Sequence, residues 1–310
     1  MTGRGIAFAV TAALAALPAA AAAAALWWCW PSLGDPLSHL PVADAPLAVA
    51  LESEERDGGR VWRRLAVDGG RLGRARLLVS LPDPPPAGPV PVQFVLGGLR
   101  TGENSIRHVA RPGGNALVGF GYPIERRPGN ILAIAAKAPR LRAQVFATPG
   151  LAAAALAWTR GQGWADPARV TPVGVSLGAI FLPAVLRLDR AGGGAVGPAV
   201  MAYGGAGLDL LAAHWLGAPR PLGWLAALGL APAAPEAHLP LLAGPFLVVG
   251  GEGWDALVPR EAALRLAALT PPPKTVLSLP GGHVGGETEV TRRLAEAAGA
   301  WLAERAALLP

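Results

Sequence analysis

The chain has 310 residues, 52% of them hydrophobic and 15% charged, with a formal net charge of +6. Once the N-terminal segment and linker described below are set aside, about 250 residues remain for one sizeable core, which is consistent with a single domain. The positive charge does not predict a nucleic-acid partner, because the two lysines and the scattered arginines form no basic stripe. The single cysteine, Cys29, excludes an internal disulfide.

The N-terminus carries a long uncharged stretch. Residues 5–30 contain no charged side chain and are numerous enough to span a bilayer. They also resemble a secretory signal, with Arg4 before an apolar core and an alanine run that offers cleavage sites. Three tryptophans near residue 30 favour a retained anchor, because indoles gather at membrane interfaces. We therefore expect residues 1–30 to be a signal peptide or membrane anchor. The remainder would then be exported, to a bacterial periplasm or the outer face of the inner membrane.

A linker is predicted over residues 31–55, whose first part is rich in proline, aspartate and small residues. The main domain then spans residues 56–310. It opens with two antiparallel strands, Val61–Val67 and Leu72–Leu81, with a turn at residues 68–70 between them.

Strands and helices alternate in the middle of the chain. A strand over Pro91–Leu96 ends in a glycine-rich loop at residues 97–102, and another over Asn115–Pro123 ends in an aromatic-proline pair. A helix is predicted over Thr148–Arg160, and a sixth strand over Val196–Tyr203. This order predicts an α/β fold, with a mostly parallel central sheet covered by helices on both faces.

A Gly-x-Ser-x-Gly pattern centres on Ser176. A β-branched run precedes it and an apolar helical pattern follows, so the serine lies at a strand-to-helix turn. Such a turn needs Gly174 and Gly178, because a side chain at either position would collide with the neighbouring strand or the following helix. Pro172 predicts regular pairing mainly after it, or a local bulge. Ser176 is thus a candidate nucleophile, and the alternative is an ordinary turn serine.

The stretch from residue 207 to residue 244 is far longer than a usual connection between strand and strand in such a fold. It is strongly apolar, and its large side chains are Leu208, Leu210, Leu211, Trp215, Leu216, Leu222, Trp224, Leu225, Leu228 and Leu230. We expect short amphipathic helices that form a cap insertion over a cleft. The alternative is that these residues pack on the edge of the sheet.

Two further polar residues follow predicted strands. Asp255 comes after a strand over Phe246–Gly251, and His283 comes after a strand over Lys274–Leu279 with glycines on both sides. Parallel sheets place their ligands at this carboxyl edge. Asp255 has an alternative role as a helix cap, and Glu252 is the second candidate for the acid. No cluster has metal-ligand spacing and no phosphate loop is present, so neither a metal nor another cofactor is expected.

From about Arg60 to the C-terminus the chain resembles the α/β-hydrolase superfamily, and within it the dienelactone-hydrolase-like and prolyl-oligopeptidase-like serine hydrolases. The resemblance implies that Ser176 is the nucleophile, His283 the base and Asp255 the acid that orients the base. It also implies an oxyanion hole from backbone N–H groups. Its donors would be Leu177 and either Gly98 or Leu99, since the family's His-Gly dipeptide is replaced here by glycines.

The resemblance also implies an activity, which is that of a serine hydrolase acting through an acyl-enzyme. A carboxylic ester hydrolase of class EC 3.1 fits best, with a small-molecule ester carrying an apolar acyl or alkyl group as substrate. A peptidase or an acyltransferase with the same triad stays open, as does a catalytically silent binding scaffold. Four residues just after the glycine-rich loop are candidates for contact with a polar substrate group: Arg100, Glu103, Arg107 and His108. The alternative is that they form the solvated start of a helix.

Overall fold

The computed structural model describes residues 22–109, 112–124, 131–217, 219–285 and 288–309. The strands within these ranges are β1 (Ala48–Asp57), β2 (Arg60–Asp68), β3 (Arg74–Pro82), β4 (Val90–Leu96), β5 (Ala116–Phe120), β6 (Ala165–Val175), β7 (Ala199–Ala202), β8 (Phe246–Gly251) and β9 (Lys274–Leu279). They form one sheet in the order β1-β2-β3-β5-β4-β6-β7-β8-β9. Pairing is antiparallel from β1 to β5 and parallel from β5 to β9. The predicted mostly parallel α/β sheet is confirmed.

The helices are α1 (22–29), α2 (Ile131–Arg160), α3 (Leu177–Ala191), α4 (Leu208–Leu216), α5 (Arg220–Leu230), α6 (Pro235–His238), α7 (Arg260–Leu269) and α8 (Thr288–Ala303). In the described part of the chain, none of them is both long and apolar enough to cross a bilayer. Most of the predicted membrane segment, residues 1–21, lies outside the described residues.

Alternate side chains of the central strands enter two different cores. On β4, Phe94 packs in a core that also contains Leu151 of α2 and Phe181 of α3. The next residue, Val95, packs in a second core with Trp301 of α8. Since successive side chains of a strand point to opposite faces, helices cover the sheet on both sides. This explains why these strands are continuous apolar runs without alternation.

The linker prediction is wrong for residues 48–55, which belong to β1. This edge strand has few apolar residues, and its carboxylates pair with arginines of the neighbouring strands, as Glu54 does with Arg63 at 2.8 Å and Glu52 with Arg76 at 3.0 Å. A strand held by cross-strand ion pairs lacks the apolar alternation that marks a strand in sequence.

The preceding segment is docked on the domain as well. The Arg142 guanidinium of α2 donates to the carbonyl oxygens of Trp27 and Trp28 at 3.1 and 3.2 Å, at the end of α1. The Trp28 indole N–H donates to Leu225 O of α5 at 2.6 Å, and its ring lies against Gly229. Helix α1 is therefore fixed to both α2 and α5.

Helix α2 is much longer than the predicted helix Thr148–Arg160. It contains Pro139 and Pro149 in its interior. Proline removes a helical hydrogen bond and normally kinks or ends a helix but is tolerated in the first turn, so the sequence favoured a start at Thr148, next to the second proline. Packing of the helix on the sheet outweighs this local preference.

The long insertion is helical, as expected, and forms α4, α5 and α6. Leu208, Leu210 and Leu211 of α4 are buried. Many of the remaining apolar residues are exposed instead of covering a cleft: Trp215, Leu216, Leu222, Trp224, Leu225 and Leu228. Helix α4 reaches the site through its C-terminal end, where Trp215 donates its indole N–H to Leu257 O at 2.7 Å.

Candidate active site

Ser176 lies between β6 and α3 with φ of +57° and ψ of −117°. This left-handed backbone conformation is strained for a residue with a side chain. A hydrogen bond from Ser176 N to Ala202 O of β7, at 2.8 Å, holds it in place. Pro172 is paired with Phe94 of β4, but pairing of β6 with β7 begins only at Val173. On the β7 side, regular pairing therefore starts after the proline, as expected.

Both glycines of the pentad are needed for close contact. A Cβ atom at Gly174 would lie 2.6 Å from Gly178 O, in the following helix. One at Gly178 would lie 1.9 Å from Leu96 O, in the neighbouring strand β4. The serine is thus held at the apex of a turn that only this pattern of glycines permits.

Three polar residues from three strand ends form one hydrogen-bonded chain. The Nε2 atom of His283 lies 2.8 Å from Ser176 Oγ, and its Nδ1 lies 2.7 Å from Asp255 Oδ2. The His283 and Asp255 side chains are only 10% and 14% exposed. Because a carboxylate can only accept a hydrogen bond, the Nδ1 atom that faces Asp255 carries the proton. Nε2 is then free to accept a hydrogen bond from the serine hydroxyl.

The other oxygen of Asp255 is held by the backbone. Its Oδ1 accepts hydrogen bonds from Leu257 N at 2.8 Å and Val258 N at 2.9 Å. Burial on its own would raise the pKa of Asp255, but the bonds from His283 and these two N–H groups outweigh it and keep the pKa below its ordinary value. The carboxylate is therefore charged at neutral pH. Asp255 does not cap the following helix, whose N-cap is Pro259, but it closes the turn before that helix and also holds His283.

The loops that carry Asp255 and His283 lie directly against each other. Gly253 N donates to Gly281 O at 3.1 Å, and a Cβ atom at Gly253 would lie 2.9 Å from the same oxygen. Glu252, the second candidate for the acid, is exposed. The glycines before His283 serve this close packing of the two loops.

The glycine-rich loop after β4 approaches the serine. A Cβ atom built at Gly98 would lie 3.6 Å from Ser176 Cβ and 3.8 Å from its Oγ. Gly98 O accepts from Thr101 N at 3.2 Å and Gly102 N at 2.8 Å, which closes the loop into a tight turn. Of the predicted oxyanion donors, Gly98 therefore lies close to the serine side chain, and Leu177 directly follows the serine in the chain.

No protein-family model matches the sequence, and no curated protein matches it. Solved structures match over most of the chain. Acetyl xylan esterase from Paenibacillus sp. R4 gives a TM-score of 0.58 at 16% identity, over 88% of this chain and 93% of that one. S-formylglutathione hydrolase from Agrobacterium tumefaciens gives a TM-score of 0.56 at 12% identity, over 82% of this chain and 99% of that one. A bacterial heroin esterase gives a TM-score of 0.54 at 20% identity, over 81% of this chain and 86% of that one.

The chain has the α/β-hydrolase fold. Tyr203 is a residue near the site that the sequence did not reveal. It follows β7, has φ of +52°, and its ring meets the His283 imidazole edge to face at 5.9 Å between centroids. Its position as the last residue of the predicted strand Val196–Tyr203 was the only available signal.

The polar residues after the glycine-rich loop make other contacts. Glu103 is buried and lies 3.4 Å from Arg64 of β2, while Arg107 pairs with Glu55 and lies over the Trp62 ring. These side chains link the loop to β1 and β2. Among the described residues, no group of three or more histidine, cysteine or carboxylate side chains is arranged to hold a metal ion.

Proposed function

We propose that this α/β-hydrolase is a serine hydrolase that cleaves carboxylic esters through an acyl-enzyme. The observation that carries the proposal is the chain of hydrogen bonds from Ser176 through His283 to Asp255, next to the Gly98 backbone. A strained serine, a base in the correct tautomer and adjacent N–H donors are together what acyl transfer requires.

In the first half-reaction, Ser176 Oγ attacks the ester carbonyl carbon while its proton passes to His283 Nε2. The C=O double bond becomes a single bond, and the oxyanion accepts hydrogen bonds from Leu177 N–H and from Gly98 or Leu99 N–H. Collapse of this intermediate breaks the bond to the alcohol oxygen, which takes the proton from His283. Asp255 stabilises the imidazolium that forms in between.

In the second half-reaction, water attacks the acyl-enzyme and gives a proton to His283 Nε2. The second tetrahedral intermediate releases the carboxylic acid, and the proton returns to Ser176 Oγ. Esters are favoured over amides because the three solved structures described above are, by their names, esterases or an S-acyl hydrolase. Exposed apolar residues beside the site, Trp254 and Leu257, favour an apolar acyl or alkyl group.

The test combines labelling and turnover. Wild-type protein should react with a fluorophosphonate probe and hydrolyse p-nitrophenyl esters, and Ser176→Ala should lose labelling and at least about a thousandfold in kcat/KM. Ser53→Ala, an exposed serine of β1, is the matched control and should behave like wild type. Equal labelling of wild type and Ser176→Ala, or no reaction of the wild type, would contradict the proposal.

We also propose that the protein works at a membrane surface, as the N-terminal sequence suggests. Residues 22–34 and 221–235 carry no charged side chain. They touch through Trp28 and α5 and form, together with the end of α4, what we call the tryptophan face. Its exposed members are Leu26, Trp27, Trp30, Leu33, Trp215, Leu222, Trp224, Leu225 and Leu228. Exposed apolar patches of this kind, rich in indoles, are typical of surfaces that meet lipid or a partner.

A further inference from the structure

One hydrogen bond in the described structure acts on the loop that would form the oxyanion hole. The Tyr122 hydroxyl donates to Gly97 O at 2.5 Å. Tyr122 follows β5, and its ring packs edge to face on Phe120 at 5.7 Å and beside Phe181 of α3 at 6.0 Å. Burial raises the pKa of Tyr122, so the hydroxyl keeps its proton and remains a donor across the working pH range.

The order of strands in the sheet shows on which side of the loop this hydrogen bond lies. Strand β4 lies between β5 and β6, so the loop after β4 has Tyr122 on one side and Ser176 on the other. The carbonyl of Gly97 points to the Tyr122 side. In a planar trans peptide the C=O and the next N–H point in opposite directions, so Gly98 N–H points to the side of β6 and Ser176.

We propose that Tyr122 is a positioning residue, whose hydroxyl fixes the Gly97–Gly98 peptide so that Gly98 N–H is the second oxyanion donor. The inference rests on the proposed function and decides between Gly98 and Leu99. It agrees with the position of Gly98, whose Cα substituent would lie within 4 Å of Ser176 Oγ, at 3.8 Å.

An external hydrogen bond is needed at this point because two consecutive glycines leave the peptide free to rotate. The turn that follows does not supply it. Thr101 N and Gly102 N bind Gly98 O, which fixes the next peptide, between Gly98 and Leu99. A side chain at Gly97 would also be excluded, since a Cβ atom there would lie 2.5 Å from Ser105. Tyr122 therefore takes the place of a side chain that would restrict the loop.

The experiment compares Tyr122→Phe with wild type in the full chain. The variant keeps the ring and its packing and removes only the donor. We expect kcat for a p-nitrophenyl ester to fall at least about tenfold with KM within about twofold, because the oxyanion exists in the transition state and not in the bound ester. Affinity for a trifluoromethyl ketone, whose adduct with Ser176 carries the same oxyanion, should fall by the same factor as kcat/KM.

Ser105→Ala is the matched control. It deletes a buried hydroxyl that lies beside Gly97 and has no hydrogen-bond partner in the described structure, so its kcat should stay within about twofold of wild type. A Tyr122→Phe protein with unchanged kcat, with a change in KM alone, or with the same loss as Ser105→Ala would overturn the proposal. So would a Tyr122→Phe protein that does not fold, since the hydroxyl would then support the whole domain. Absence of turnover in the wild type would instead count against the proposed function.

Discussion

Tyr122 and Tyr203 are the two tyrosines of the chain, and both lie close to the candidate site. Burial raises the pKa of Tyr203 to about 12, with a smaller contribution from the negative charge of Asp255. Burial raises the pKa of Tyr122 as well. Each hydroxyl is thus kept neutral by its surroundings at a pH where a free phenol would ionise.

This predicts an unusual alkaline titration. An unfolded tyrosine ionises near pH 10, so the unfolded state loses protons first. Because the folded pKa is raised, the stabilisation is fully present below about pH 10 and is lost as the pH rises through about 12. In the folded protein, tyrosinate absorbance should therefore be absent near pH 10. In denaturant both residues should titrate near it.

Tyr203→Phe separates the two contributions to the titration. The variant leaves Tyr122 as its one tyrosine, and its folded titration should begin at still higher pH than that of the wild type. A native tyrosinate signal at about pH 10 in the wild type would show that at least one of the two hydroxyls is not buried as described.

At the same scale, the sequence revealed residues that stand in a motif and missed those that act through space. Ser176 was marked by its glycines, and Asp255 and His283 by their places after predicted strands. Tyr122 contacts Gly97 across the neighbouring strands β5 and β4. Tyr203, after β7, contacts His283, after β9, with β8 between these two strands. Such contacts depend on the order of strands in the sheet, which a single sequence does not give.

At the scale of elements, the approach of α3 to β4 positions the serine. Helix α3 begins at Leu177, and its second residue, Gly178, lies against the backbone of Leu96. The same β4 residue precedes the glycine-rich loop. The nucleophile and the oxyanion loop are therefore held at a fixed separation by one contact between helix and strand.

Gly178→Ala should disrupt that contact. Its Cβ atom would lie 1.9 Å from Leu96 O, so helix and strand must separate, at a cost of about 3 kcal/mol in the free energy of unfolding. Gly299→Ala is the control, since this glycine of α8 faces open space and alanine there should stabilise the helix by about 1 kcal/mol. Denaturant unfolding of both variants measures the difference. Equal stability of the two would mean that α3 does not pack on β4 in this way.

The element boundaries that the sequence missed have two physical causes. Helix α2 continues through two prolines because its apolar residues pack on the sheet, which local preference does not register. Strand β1 is polar along most of its length because it is an exposed edge held by ion pairs. The central strands, buried on both faces, were found as apolar runs.

At the scale of the whole molecule, the tryptophan face is the least usual feature of the surface. Trp27, Trp30 and Trp224 are 52%, 65% and 55% exposed. Soluble monomers seldom expose so many large apolar side chains in one area. In the sequence, the uncharged residues 5–21 directly precede α1.

If this face meets lipid, Trp224 is expected to contact acyl chains. In proteoliposomes of the full chain with brominated lipids, Trp224→Phe should reduce the fraction of quenched indole emission. Trp301→Phe should not, because Trp301 is buried in the core beneath α8. Equal changes in the two variants, or no quenching in the wild type, would exclude contact between α5 and the bilayer.

The clamp that Arg142 places on α1 has a mechanical consequence. A long flexible linker would let the domain rotate freely about its point of attachment. Here hydrogen bonds already fix residues 27 and 28 to α2 and α5. The segment therefore cannot act as a flexible linker at this point. A support that binds the first 21 residues would then also fix the orientation of the domain. The edge of the sheet that carries Ser176 would then keep one orientation relative to that support.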